Sequence, residues 1–288
     1  MPFSVAKCER LRAAIPAIAL ALLFGVTSRV DAAGLPRIAS INLCTDQLLM
    51  TLADPDQILG LSPYSRDAAR SWAATEARKY RRLSGEAEDV LVLKPDIVVA
   101  GRYTKRATRE LLKQQGLRVA EFDTAQSIDD VKRQIRRMGN LVQHPDRAER
   151  QIARLDAAIA RAKQAVAKRP YRVLALSRRG WVSGDDSVTS ALLSVAGLSN
   201  AASGLGVKHG GFAKLETIVA LRPDFIVVAD GRDAAEDEGQ ALLLHPALEK
   251  LYPPSKRIVI PEDLTVCGGP SLPDALDRLV SELKRVGD

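Results

Sequence analysis

Residues 88–99 read EDVLVLKPDIVV and residues 216–227 read ETIVALRPDFIV. At an offset of 128 positions, five of these twelve residues are identical: Glu88/Glu216, Leu93/Leu221, Pro95/Pro223, Asp96/Asp224 and Val99/Val227. The other apolar positions stay apolar. The proline cannot continue a helix, because it lacks an N–H and its ring clashes with the preceding turn. The apolar runs that follow, Ile97–Ala100 and Phe225–Ala229, are short and β-branched, as a buried parallel strand requires. Each copy is therefore expected to be a helix, a Pro-Asp turn and a buried strand.

The flanks extend the same plan. In the first half, strands are expected at Arg37–Leu43, Gln57–Leu61 and Arg118–Phe122, with helices over Thr45–Ala53 and Thr108–Gln115. In the second half, Arg172–Ser177 opens as a strand, Thr189–Ala196 is helical and Arg257–Ile260 is a strand again. Strands alternating with helices mean βαβ units, so the duplication predicts two mostly parallel sheets. Between them, residues 127–170 contain no credible strand. Ser127 with Asp130 caps a helix over Ile128–Gln143. A second helix follows Pro145, over Asp146–Lys168, and at 1.5 Å per residue it runs roughly 35 Å, enough to bridge two lobes. The fold class is α/β: two related lobes joined by a long helical spine, with a cleft between them.

Composition narrows the function. With 46% hydrophobic and 27% charged residues in 288, the chain can bury a substantial core. Its formal charge of +7 is not clustered: the densest run, Arg78–Arg82, is short, and Lys132, Arg133, Arg136 and Arg137 lie on a helical face beside Asp129 and Asp130. That is a solvated face, and no nucleic-acid partner is expected. Lys7, Arg10 and Arg12 precede the uncharged stretch 13–26 and then Val30-Asp31-Ala32, the order of a cleavable secretory signal over residues 1–32. Its apolar run is too short to span a bilayer. Cleavage would lower the charge from +7 to +5 and remove Cys8, leaving Cys44 and Cys267 as a lone pair in an oxidising compartment, which suggests one disulfide.

An exported chain with this layout resembles the helical-backbone periplasmic binding proteins, and more narrowly the receptors of ABC importers for cobalamin and ferric siderophores. The residues carrying the resemblance are RIASINLCTDQLLMTLA (37–53), QILGLSPYS (57–65), EDVLVLKPDIVVA (88–100), WVSGDDSVTSALLSVAGLSNAA (181–202) and KLETIVALRPDFIVV (214–228). The resemblance implies an N-terminal lobe over 33–126, connecting helices over 127–170 and a C-terminal lobe over 171–288. It implies a monomer that captures a metal chelate, either a ferric siderophore or a cobalamin, and hands it to an ABC permease with its ATPase. No intrinsic cofactor and no catalytic residue are expected. Glu88 and Glu216 match the family's two docking carboxylates. Without that role, they are surface carboxylates near helix N-termini.

Ligands of open α/β sheets lie beyond the carboxyl ends of the strands. That rule puts Asn42, Cys44, Tyr64, Arg66, Arg102 and Tyr103 of the first lobe at the cleft. From the second lobe come Arg178, Arg179, Trp181, His209 and Cys267, with Lys208, Phe212, Asp230, Arg232 and Asp263 nearby. Aromatic faces can bury the flat periphery of a chelate, and arginine forks bind its carboxylates. Tyr64 and Trp181 fall where the family places cleft aromatics, while Gly101 and Gly210 stand where cobalamin receptors carry large ones. Aligned with the family, Cys44 and Cys267 both face the cleft. They would form an interlobe disulfide, hold a soft metal or remain free.

Other classes fit less well. There is no GxSxG elbow beside His209-Gly210-Gly211, no P-loop and no complete dinucleotide fingerprint, so an exported hydrolase is a remote alternative. Bare metal would need several His and carboxylate ligands, and only His209 lies near the cleft. Heme remains an alternative through Tyr64, Tyr103 or His209.

Overall fold

The computed structural model describes residues 34–166, 171–229 and 241–287. The expected signal segment, residues 1–32, lies outside them, as do Asp230 and Arg232. The first lobe contains β1 (Ile38–Ser40), α1 (Leu43–Leu52), β2 (Ile58–Gly60), α2 (Ala87–Leu93), β3 (Ile97–Gly101), α3 (Arg106–Gln114) and β4 (Val119–Phe122). Two helices follow, α4 (Ile128–Leu141) and α5 (Pro145–Val166). The second lobe contains β5 (Arg172–Ala175), β6 (Trp181–Val182), α6 (Val188–Val195), β7 (Ser199–Asn200), β8 (Gly211–Phe212) and α7 (Leu215–Leu221). It ends with β9 (Phe225–Val228), α8 (Pro246–Leu251), β10 (Arg257–Val259), α9 (Glu262–Thr265) and α10 (Leu272–Gly287).

Both large sheets are parallel throughout, in the orders β2-β1-β3-β4 and β7-β5-β9-β10. Numbered within each lobe, both orders read 2-1-3-4. The repeat seen in the sequence is thus a repeat of topology.

The repeated turn explains the repeated residues. Helices α2 and α7 both end on a left-handed residue, Lys94 (φ 46°) and Arg222 (φ 44°), and the proline then directs the chain into the strand. The aspartate that follows fixes the neighbouring strand. An Asp96 carboxylate oxygen accepts from Arg37 N at 2.7 Å while Asp96 N donates to Arg37 O at 2.9 Å. In the second lobe Asp224 accepts from Arg172 N and donates to Arg172 O, both at 2.8 Å. One residue therefore closes the helix–strand turn and sets the register of the central strand pair.

The spine is as the caps predict. The Ser127 hydroxyl accepts from Asp130 N while the Asp130 carboxylate accepts from Ser127 N. The 22 residues of α5 span about 33 Å. The structure adds an element that the strand-centred sequence reading passed over. The C-terminal helix α10 packs along α5, burying Leu272, Ala275, Leu276 and Leu279. One continuous apolar core runs from Ile38 and Leu49 of the first lobe through Ile135, Ile152 and Leu155 of the spine to Val173, Leu192 and Leu276 of the second. The lobes share that core; they are not beads on a linker.

Candidate functional site

In a 2-1-3-4 sheet the crossovers change direction between the first and third strands, and ligands gather beyond that point. In the first lobe the residues there follow β1 and β3. Asn42 caps α1: its side-chain oxygen accepts from Cys44 N at 3.0 Å and from Thr45 N at 3.4 Å. Gly101, at the end of β3, lies flat against it. A Cβ at Gly101 would come within 2.5 Å of the Asn42 amide nitrogen. Tyr103 is 83% exposed and Tyr64 is 53% exposed. Arg102 is exposed and reaches Asp123 at 3.6 Å. Arg66 is half-buried: it donates to Tyr80 O at 2.6 Å, and its Nε is buried with no protein partner. It holds the 62–83 loop.

The second lobe carries a feature the first lacks. Where one residue, Ile41, separates β1 from the cap Asn42 of α1, eleven residues, 176–186, separate β5 from the cap Ser187. They include β6, which pairs antiparallel with β8 to make a two-stranded ribbon. The ribbon presents Trp181, 38% exposed, edge-on to Phe212, 68% exposed, with ring centroids 5.1 Å apart. Gly210 (φ 133°) allows the close approach, since a Cβ there would sit 2.7 Å from the indole ring. Arg178 and Arg179 lie exposed at the root of the ribbon. His209 lies exposed just before β8, and its Nδ1 is 3.4 Å from the Gln126 amide, a contact between the two halves of the chain. The sequence places Phe212 near the cleft without giving it a structural role. The pairing that gives it one depends on the ribbon, which no periodic pattern announces.

The two lobes are also joined directly. Cys44, at the start of α1, is disulfide-bonded to Cys267, with Cα atoms 5.2 Å apart across 223 positions of sequence. Around the bond, Gly268 packs so closely on Ala125 and Val188 that a Cβ would meet both. Trp72 Nε1 donates to Asp274 at 2.8 Å, and Gln151 of the spine donates to Pro270 O at 3.1 Å. Arg154 also pairs with Asp274. Among the described residues, no group of three or more His, Cys, Asp or Glu is placed to hold a metal ion. No described helix is long and apolar enough to cross a membrane. Glu88 and Glu216 are exposed, each the second residue of its helix, α2 and α7.

Asp46 lies beneath the first-lobe surface, fully buried. It accepts from Ser62 N at 3.1 Å and from the Ser62 hydroxyl at 2.5 Å, so it anchors the start of the loop that carries Tyr64. Burial raises its carboxyl to about 7, against the opposing pull of hydrogen bonds from Ser40 and Ser62. The folded protein thus keeps a proton that the unfolded chain releases near pH 4, and stability falls as pH rises from about 4 to about 7. Asp46→Asn keeps the shape and the neutral state. Chemical denaturation across that range should show wild type losing on the order of a few kcal/mol that the variant does not lose. Parallel curves would show the Asp46 carboxyl titrating as an ordinary exposed one.

Residues 38–253 match the family described as periplasmic binding protein. A cobalamin-binding protein of Halobacterium salinarum is 25% identical over 213 residues, which cover 72% of this chain and 57% of that protein. The chain thus matches little more than half the length of this curated relative. Among solved structures, the periplasmic heme-binding protein RhuT of Roseiflexus, in apo form, aligns with a TM-score of 0.70 and 24% identity, covering 88% of this chain and all of that one. A periplasmic heme-binding protein of Pseudomonas aeruginosa aligns at 0.70 and 22%, covering 86% and 92%. An ABC-type Fe3+-hydroxamate transport protein of Saccharomonospora viridis aligns at 0.67 and 23%, covering 86% and 93%. These structures share the fold. With a family match across three-quarters of its length and the doubled 2-1-3-4 topology, the chain belongs to the periplasmic binding protein family.

Proposed function

We propose that the protein is the periplasmic receptor of an ABC importer for a metal tetrapyrrole, a heme or a corrinoid, held between the lobes and passed to a membrane permease with its ATPase. The observation that carries this reading is the set of four exposed aromatic rings: Tyr64 and Tyr103 on the loops beyond the carboxyl ends of β2 and β3, and Trp181 and Phe212 on the ribbon that follows β5. Large aromatic rings left in water favour a ligand that offers flat apolar area, and their quadrupoles suit edge and face contacts with a conjugated macrocycle. Arg102, Arg178 and Arg179 at the same ends supply guanidinium forks for carboxylate arms at the ligand's edge. In this reading the protein is not an enzyme, and it acts as a monomer after its signal segment is removed. The same arginines favour a second candidate, an anionic ferric siderophore, which the titration below separates.

Purified protein lacking residues 1–32, titrated with hemin, cyanocobalamin and a ferric catecholate siderophore, should quench its tryptophan fluorescence saturably with one tetrapyrrole at micromolar or tighter affinity. Trp181→Phe should remove most of that quenching, because Trp72 is half-buried and held by Asp274. Binding of the siderophore alone would overturn the tetrapyrrole reading in favour of the second candidate.

Glu88 and Glu216 occupy equivalent, exposed positions on the repeated helices and are proposed to dock on basic pockets of the permease. Glu88→Ala and Glu216→Ala should each lower uptake in reconstituted vesicles several-fold while leaving ligand affinity unchanged. Unimpaired transport by the double variant would remove the docking role.

A further inference from the structure

The two lobes differ at two internal positions that their shared topology identifies. Ile38 of β1 pairs with Ile97, and Val173 of β5 pairs with Phe225, the repeat equivalent of Ile97. Counting on from there, Ser40 of the first lobe corresponds to Ala175 of the second. Counting from the helix caps, Asn42 and Ser187, Asp46 corresponds to Ala191. In the first lobe the space between strand end and helix is closed by paired polar groups, Ser40 to Thr45 at 2.8 Å and Asp46 to Ser62. In the second lobe both positions are alanine, with neither hydroxyl nor carboxylate. At the first of these, Ala175, a cavity of about 60 Å³ opens between the ends of β5 and β9 and the helices α6 and α10.

Its wall is mostly apolar, with Ala175, Leu192 and Val227 all buried beside Ser183, Thr189 and Thr265, and its rim includes the exposed residues Ser177 and Glu262. Ser177 N donates to Trp181 O at 2.8 Å, which sets the mouth of the cavity beside the root of the aromatic ribbon. An apolar cavity of about 150 Å³ admits benzene, so one less than half that size admits two or three carbons. The Glu262 carboxylate at the rim disfavours a negatively charged arm.

We infer that this cavity is a subsite for a short uncharged alkyl or alkenyl arm, two or three carbons long, on the edge of the ligand bound in the cleft. The inference rests on the tetrapyrrole reading for the identity of that ligand. Carboxylate arms of the same ligand face the arginine side, so the cavity orients the ring as well as adding affinity.

Three iron porphyrins that differ only at these arms test it: protohemin with vinyl groups, mesohemin with ethyl groups and deuterohemin with hydrogens. The first two should bind the protein about tenfold more tightly than the third, the gain expected for burying two carbons. Thr189→Leu, at a half-buried helix position lining the cavity, should fill it and bring all three affinities to the deuterohemin value. Equal affinities for the three porphyrins in wild type would overturn the subsite, and so would a vinyl preference that survives in Thr189→Leu. Failure of every porphyrin to bind would instead contradict the tetrapyrrole reading. Xenon-pressurised crystals then decide for the cavity alone. Xenon in wild type and none in Thr189→Leu supports an apolar subsite, and no xenon in wild type overturns it.

Discussion

The segment from Cys267 to Asp274 is the constraint on which the rest of the arrangement depends. Within eight residues it receives a disulfide from the start of α1, an indole hydrogen bond from the 62–83 loop and two side-chain contacts from the spine. Gly268 makes this possible by taking little room, since it lies where any side chain would strike Ala125. A cross-link between residues so distant in sequence removes much of the freedom of the unfolded chain, in the chain-entropy account by a few kcal/mol. More important for function, it ties the lobes at the side where their strand ends meet. The shared apolar core beneath acts in the same direction, since packed interiors resist small displacements.

A cleft fixed in this way favours a rigid ligand. In the proposed receptor role little lobe movement would be needed to complete the site, so ordering costs on binding would stay low and affinity would depend on how well the exposed rings and arginines fit. The lobes contribute unequally. The first supplies single side chains on short loops after β1, β2 and β3, whereas the second supplies a ribbon that holds Trp181 and Phe212 against each other. The duplication set two equivalent sheets, and the longer connection over residues 176–186 gave one of them the larger aromatic surface.

Much of the fold was legible because its strongest constraints are local. The Pro-Asp turns, the β-branched strands and the Ser127 cap act over a few residues, and each leaves its residue types at fixed spacing. The repeat at Glu88 and Glu216 made the doubled topology visible before any coordinate. Boundaries shifted by a few residues, as at β1, expected over Arg37–Leu43 and found over Ile38–Ser40. Helix α10 carries a readable apolar spacing at Leu272, Leu276, Leu279 and Leu283, but it stands outside the strand–helix repeat. The ribbon was not legible: its strands are two residues long and depend on positive φ at Gly180 and Gly210. Nor was the orientation of Arg66, whose partner is a backbone carbonyl in an irregular loop. Sequence brought Cys44 and Cys267 to the same cleft through family likeness, and their bond is a matter of three-dimensional geometry.

Residual dipolar couplings test the fixed cleft most directly, because they report the orientation of each lobe independently. Couplings from residues 35–126 and from residues 171–229 should fit one common alignment tensor in the oxidised protein, before and after hemin is added. Reduction of the Cys44–Cys267 bond should allow the two tensors to diverge. Separate tensors in the oxidised, ligand-free protein would contradict the account, since they would mean that the lobes move on one another despite the bond.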